Sequence, residues 1–333
     1  MENSTTKSSI PCERPDIAWP TIGVFIIAAT MSFISCILGT GMIFPVIAFH
    51  FPTTSTWSYW IFSMFLGIFC FIVSTVCSYT QFTVAHDAVH CSVSKKYKSL
   101  NDWIGWCAQL WLGPTACNWD GLKYNHLAHH AHTNHPDYDP DYWCSLKGPG
   151  GKYLAALRWM FIDVSYYQIY FKKIIQKPLL EQLKAYGIEV CKYLLLVVAY
   201  KWGYLPFLFQ YWILPARLAL FVLAYAFDFL PHFPHEITRK TNKYRTTAYI
   251  YTPWIFRPLL SLLIFYQNYH IVHHLKPTVP FYRYKNVWGV MKNELLEEGI
   301  IVRDILPNLI EQKIVDILGD DEFHELKKYN KED

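Results

Sequence analysis

Two long runs, Thr21 to Phe49 and Ser58 to Tyr79, have no polar face at either helical or strand period, and this limits the possible folds more than any other feature. A segment with no polar side has nothing to turn toward water, so its natural surroundings are lipid. Composition agrees: the 333 residues are 53% hydrophobic, 18% aromatic and only 17% charged, more apolar surface than one soluble core can hide. A third region, Ile188 to Leu230, is long enough to cross twice with a turn near Trp202 to Pro206, each crossing needing about 20 apolar residues. Between the first two runs, His50 to Trp57 forms a short polar connection containing Pro52, which makes the pair an antiparallel hairpin. The expected fold is therefore all-α, a multi-pass membrane protein with four transmembrane helices.

Two shorter apolar pieces, Trp103 to Trp119 and Trp254 to Tyr269, are broken by Gly113, Pro114 and Pro258 and are rich in Trp and Tyr. They read as interfacial or re-entrant segments; as a fifth and sixth span they would separate the motifs described next. Lys and Arg are missing from the loop between the first two runs. They gather after the second run (Lys95, Lys96, Lys98, Lys123, Lys172, Lys173, Lys177) and after the fourth (Arg239, Lys240, Lys243, Arg245). That asymmetry predicts that these sides and both termini face the cytoplasm. It also accounts for the formal charge of +4 without a nucleic-acid partner. Three parts are expected: a polar cytoplasmic tail over residues 1–20 with no secretory signal pattern, a membrane domain over 21–290, and a charged, helically patterned C-terminal tail over 291–333 that packs as a cap on the rest. The nine cysteines are scattered singly, as reduced structural thiols are.

Histidine carries the chemistry. Of 14, all but His50 and His324 fall in four tight clusters. His86-Asp-Ala-Val-His90 lies just past the second run, where i and i+4 share a helical face. His126-Leu-Ala-His129-His130 has i, i+3 and i+4 on one face, with His132, His135, Asp139 and Asp141 following. His270-Ile-Val-His273-His274 repeats that spacing. Asp228-Phe-Leu-Pro-His232-Phe-Pro-His235 closes the fourth run, where Asp228 and His232 stand at i and i+4. Two crossings separate the second cluster from the fourth-run histidines, so all four return to one side of the membrane. A lone histidine on an apolar helix is usually a hydrogen-bonded core residue, but two HxxHH copies plus HxxxH point to metal ligation. Imidazole suits Zn, Cu, Ni and Fe alike. At least eight converging histidines suffice for two metals, and the metalloprotease HExxH is absent.

With HDAVH, HLAHHAHTNHPDYDPDYW, FDFLPHFPH and QNYHIVHHLKPTVPFYRY in view, the chain from about Gln81 to Tyr284 resembles the membrane fatty-acid desaturase and hydroxylase superfamily, whose histidine boxes bind two irons. Within it the pattern is most similar to the cyanobacterial-type carotenoid beta-ring hydroxylases, with carotenoid ketolases more distant. The resemblance implies nine imidazole ligands: His86, His90, His126, His129, His130, His232, His270, His273 and His274. It implies O₂ as co-substrate, and a water-mediated metal contact for Asp228, whose bland alternative is a polar helix cap. It gives no ligand role to His132 or His135, and leaves His235 ambiguous. Asp139 and Asp141 are expected to accept hydrogen bonds from ligating imidazoles or to cap a helix. Asp87 is divided between orienting a ligand and capping a helix in solvent.

A di-iron centre and O₂ can remove hydrogen from an unactivated carbon, which no side chain does alone. The outcome is an alcohol when a hydroxyl is delivered to that carbon and an alkene when a second hydrogen leaves its neighbour. The expected function is oxidation of a lipid C–H bond, first as hydroxylation of a carotenoid-type ring, with fatty-acyl desaturation as the alternative. No haem-binding His-Pro-Gly-Gly occurs, so electrons are expected from a separate ferredoxin or cytochrome b5 type donor. In a eukaryote the endoplasmic reticulum would be the host membrane. A metal-binding transporter or sensor would need ionisable groups inside the spans, for which Arg217 is the clearest candidate.

Overall fold

The structure, a computed structural model, describes residues 12–39 and 56–304. Helix α1 covers Trp19–Gly39 and α2 covers Thr56–Val89. The end of the first apolar run, the connection His50 to Trp57 apart from its last residues, His50, His324 and most of the C-terminal tail lie outside the described residues. At about 1.5 Å per residue, α1 is roughly 31 Å long and α2 roughly 51 Å. The second therefore exceeds the ~30 Å hydrocarbon thickness of a bilayer.

Its burial changes along its length to match. In the first half, Ile61, Phe62, Met64, Phe65, Ile68, Phe69 and Ile72 point outward, whereas from Gln81 to His90 every side chain is buried. One end suits lipid and the other is enclosed by protein. Helices α1 and α2 pack along each other, tied by Gln81 Nε2 donating to the Phe25 carbonyl (3.0 Å) and Thr21 Oγ1 donating to Asp87 Oδ2 (2.8 Å).

Helix α3 (Lys98–Leu110) is amphipathic and lies against α2; α4 (Trp119–His132) follows, its first turn capped by Asn118, whose side chain accepts from Gly121 N at 2.9 Å. Helices α5 (Ala155–Met160) and α6 (Ile162–Ile174) complete this side. Helix α7 (Leu179–Lys201) ends at the predicted turn, where Gly203 takes a left-handed φ of 76°. Helix α8 then runs Leu205–Phe229, with π-helical turns at Phe209–Ile213 and Ala224–Phe229, and packs on α2.

Among the described residues, three helices are long and apolar enough to cross a membrane: Trp19–Gly39, Ile61–Val89 and Leu205–Phe229. The expected fourth, α7, is long enough but carries Glu181, Lys184, Glu189, Lys192 and Lys201, so its composition does not qualify. The two interrupted pieces hold only the 13-residue α3 and the seven-residue α9 (Arg257–Leu263), both too short to span.

The chain is mostly helical, and the all-α expectation misses one feature. Strands β1 (Ala248–Tyr251) and β2 (Ile301–Asp304) form a parallel pair in the register Ala248↔Ile301 to Tyr251↔Asp304. The helical pattern expected over residues 291–333 is thus interrupted near its start: helix α11 (Tyr284–Glu297) stops before Gly299, at φ 72°, and the chain turns into β2. Residue 290 falls inside α11, and Met291, Leu295, Leu296 and Ile300 join Tyr249, Tyr269 and Trp288 in one buried cluster. That cluster encloses helix α10 (His270–Leu275).

Candidate metal centre

Nine imidazoles meet between the last turn of α2, the second half of α4, the turn after α8, and α10. His86 and His90 come from α2 and its C-terminal boundary; His126, His129 and His130 from α4; His270, His273 and His274 from α10. The i, i+3, i+4 spacing does on each helix what the geometry demands. His232 arrives differently. The helix that carries Asp228 ends in a π turn, with Leu230 N donating to the Tyr225 carbonyl at 2.8 Å, so Asp228 and His232 do not share a helical face as expected; His232 sits in the turn beyond.

The Nε2 atoms face one another. His86 lies 3.0 Å from His273, His90 2.8 Å from His126 and His130 2.8 Å from His273. On the other side His129 lies 3.3 Å from His274, and His270 lies 3.1 Å from both His232 and His274. Two groups of four emerge, His86, His90, His126 and His273, and His129, His232, His270 and His274, each with ligand atoms within 4.8 Å of one another; His130 sits with His273 and His274 between them. Four nitrogens about 2.1 Å from a shared ion stand roughly 3.0–3.4 Å apart, depending on geometry. Neutral imidazoles protonated on Nδ1 present only lone pairs at Nε2, so facing Nε2 atoms repel unless a cation sits between them. The donor set therefore fits two metal ions.

The outward nitrogens support this. His129 Nδ1 lies 2.8 Å from Asp139 Oδ1 and 3.2 Å from Asp141 Oδ2; His270 Nδ1 lies 2.6 Å from Gln267 Oε1, and His273 Nδ1 lies 3.0 Å from the Tyr284 hydroxyl. An Nδ1 proton held by an outer acceptor leaves Nε2 with its lone pair pointing inward. Asp139 is fully used: Oδ1 also accepts from Asp141 N and Oδ2 from Asn134 N. It caps the short helix Pro140–Cys144 and accepts from an imidazole, so both expected roles coexist. Asp141 accepts a further bond from the Tyr166 hydroxyl at 2.8 Å.

Burial, reinforced by neighbouring imidazoles, holds His126, His130, His232, His270, His273 and His274 well below the usual histidine range, so they are neutral and ready to ligate. For His129 burial pushes the same way, but the carboxylates of Asp139 and Asp141 outweigh it and raise the imidazole to about 9. Without a metal it is protonated at neutral pH, so metal binding must displace that proton. Titrating Fe²⁺ or Co²⁺ into metal-free protein in buffers of different ionisation enthalpy is expected to reveal that release. Asp139→Asn should reduce it and weaken binding by about 10–100-fold; unchanged proton release would contradict the role given to Asp139.

The remaining predicted residues separate clearly. His132 is exposed and His135 half-buried; both contact Tyr138 rather than the imidazole cluster. His235 is buried behind His232, with φ 63°, its Nε2 3.2 Å from the Asp228 carbonyl and its ring against Phe229. Asp87 fits neither expectation. It is buried rather than solvated, and its carboxylate holds Thr21 Oγ1 and the Phe281 amide (3.3 Å) instead of an imidazole, fastening α1 and the segment after α10 to α2. Gln267 and Tyr284 were missed. Gln267, at i−3 from His270, had a detectable spacing; Tyr284, eleven residues beyond His273, had none.

The Asp228 side chain lines a narrow apolar slot, together with Phe82, Leu112, Leu122, Ile162, Tyr166 and Leu223. Its inner end is close to the centre: the rings of Phe82 and Phe227 lie 6.2 and 6.3 Å from that of His86. A wider groove of about 660 Å³, between α3, α7 and Trp212, shares Gln109, Ala116 and Cys117 with the slot.

Comparison with known proteins agrees with this geometry. Residues 54–305 match the fatty acid desaturase family. A beta-carotene ketolase of Paracoccus sp. (strain PC1) is 31% identical over 220 residues, and another from Paracoccus sp. (strain N81106 / MBIC 01143) is 30% identical over the same length; each alignment covers 66% of this chain and 77% of the relative. The chain belongs to the fatty acid desaturase family, and with it to the enzymes that modify lipids at membranes.

Proposed function

We propose that the nine imidazoles hold two iron ions and that the protein is an O₂-dependent oxidoreductase acting on a C–H bond of a carotenoid-type ring. The observation that carries this is the division of the imidazoles into two adjacent groups of four with His130 between them, beside an apolar slot. Two irons so held would supply the oxidising power that an unactivated C–H bond requires. In balance, a C–H bond, O₂, two electrons and two protons give an alcohol and water. The electrons come from a separate one-electron donor of ferredoxin or cytochrome b5 type.

The residues of the chain do the rest. Asp139, Asp141, Gln267 and Tyr284 fix ring orientation and hold protons on Nδ1, leaving Nε2 for the metals. Phe82 and Phe227 form a wall between slot and centre that excludes water and sets how close a carbon can approach. Asp228, on the slot surface, is suited to hold a water beside the second group.

The two Paracoccus relatives are named as ketolases, which favours ring oxidation over acyl desaturation. A hydroxylase that oxidises the same carbon twice gives a ketone, so hydroxylation and ketone formation are one chemistry stopped at different points. Acyl desaturation is the alternative, since the family match extends to it. We further propose that α7 crosses as the fourth span beside α1, α2 and α8, and that the basic segments set the histidine side toward the cytoplasm.

Expression of this chain and of His273→Ala in hosts that make beta-carotene and ordinary acyl lipids, followed by mass spectrometry of both lipid classes, tests the proposal. A hydroxylated or ketonic carotenoid absent with the variant supports it. A new acyl double bond instead would transfer the assignment to desaturation.

A further inference from the structure

We infer that the slot takes a lipid bearing a hydroxyl group, and that Gln109 selects it; this rests on the slot being the substrate site. Gln109, on α3, stands where the outer groove and the inner slot meet and lines both. It is buried. Its Nε2 donates to the Cys117 carbonyl, while its Oε1 is enclosed and has no hydrogen-bond partner among the described residues. Exchanging the two ends of the amide would not help, because Oε1 would then face the Cys117 carbonyl and the existing bond would be lost. The orientation of the orphan acceptor is therefore fixed by the backbone.

None of the described side chains of the slot donates to it. Leu112, Ala116, Leu122 and Leu220 are apolar. The Tyr166 hydroxyl donates to Asp141, and Asp163 is held by both terminal nitrogens of Arg217. A buried carbonyl without a donor is disfavoured, so such groups in native proteins generally have a purpose. A ligand hydroxyl at this level supplies the missing proton. A hydrocarbon leaves the carbonyl unsatisfied, and a ketone sets a second acceptor against it. Because the slot continues inward to Phe82, the carbon oxidised lies deeper than the hydroxyl that Gln109 holds.

Binding to the full chain in lipid nanodiscs tests this without requiring turnover. Trp106 and Trp212 line the outer groove, so quenching of tryptophan fluorescence reports occupancy. The probes are beta-carotene, its ring-hydroxylated and ring-keto derivatives, and, as a second series, a fatty-acyl ester and its hydroxyacyl counterpart. The native protein is expected to bind the hydroxylated member of a series about tenfold tighter than the plain one, with the ketone no tighter than the hydrocarbon. Gln109→Met, close in shape but without the amide, should erase the preference. Gln109→Glu should keep it, its protonated carboxyl donating to Cys117 and accepting through the other oxygen. Equal binding of plain and hydroxylated probes by the native protein, or a preference that survives in Gln109→Met, overturns the selection by Gln109 and leaves the slot assignment standing. Failure of both series to bind an iron-replete protein overturns the slot assignment itself. Should Gln109→Met not fold, the native comparison alone decides.

Discussion

His273→Ala is expected to lose product formation by at least about 100-fold and to purify with less iron than the native chain. The effect should exceed that of His130, which belongs only to the set that joins the two groups. His273 Nε2 is the common neighbour of His86 and His130, at 3.0 and 2.8 Å, and His273 belongs both to the first group of four and to the set that joins the two groups. Removing it opens one group and loosens the residue between them. Loss of a mere outer-shell partner costs about 10–100-fold, which sets the lower bound for a ligand at this position. Iron per chain by plasma emission spectrometry, with product by mass spectrometry, measures both effects. His132→Ala, exposed and outside the cluster, is the matched control and should change neither. Native iron content in His273→Ala would remove it from the centre.

The second large effect concerns stability. Arg217 on α8 meets Asp163 on α6 through two bonds, at 2.9 and 2.5 Å, and also donates to Thr115 Oγ1 at 2.7 Å and the Met160 carbonyl at 3.3 Å. Both side chains are almost enclosed, at 11% and 9% exposure. Arg217→Leu or Asp163→Leu alone strands a buried charge and is expected to cost about 3–5 kcal/mol. The double variant Arg217→Leu with Asp163→Leu removes both charges and should recover most of that loss. Thermal unfolding in detergent, as a double-mutant cycle, checks the pattern. Additive losses would mean that the two side chains act independently. The pairing also gives the charge within the apolar α8 a structural purpose, without recourse to transport.

The helices were legible where periodicity and chemistry coincided. HxxHH at residues 126–130 and 270–274 fixed both the helix and the face, because a shared ion demands the same i, i+3, i+4 spacing that a helix provides. The turn near Trp202 was legible because Gly203 and Pro206 interrupt an otherwise continuous apolar run. The π turn before His232 was not, since a single extra residue per turn leaves apolar composition unchanged. Strands β1 and β2 are four residues each and pair across more than fifty residues, so neither has a local pattern strong enough to compete with the helical one around it. Asp87 was misread because its partners, Thr21 and Phe281, are distant in the chain and only packing brings them to it. The clustered imidazoles repeat in recognisable spacing; the groups that orient them do not.

The unbroken course of α2 couples two environments. No joint separates its outward-facing half at Ile61 to Ile72 from the enclosed turn that bears His86 and His90. A bilayer thicker or thinner than the apolar length of the helix makes it tilt. On a stiff lever pivoting near its middle, a 10° tilt shifts a point about 25 Å away by roughly 4 Å. The clamps from α1 and the segment after α10 that grip Asp87, the Gln81–Phe25 bond and the packing of α3 and α8 on α2 oppose that swing. Lipid acyl-chain length is therefore expected to act on the spacing of the imidazoles, so that the thickness of the host membrane becomes a variable of the candidate metal centre.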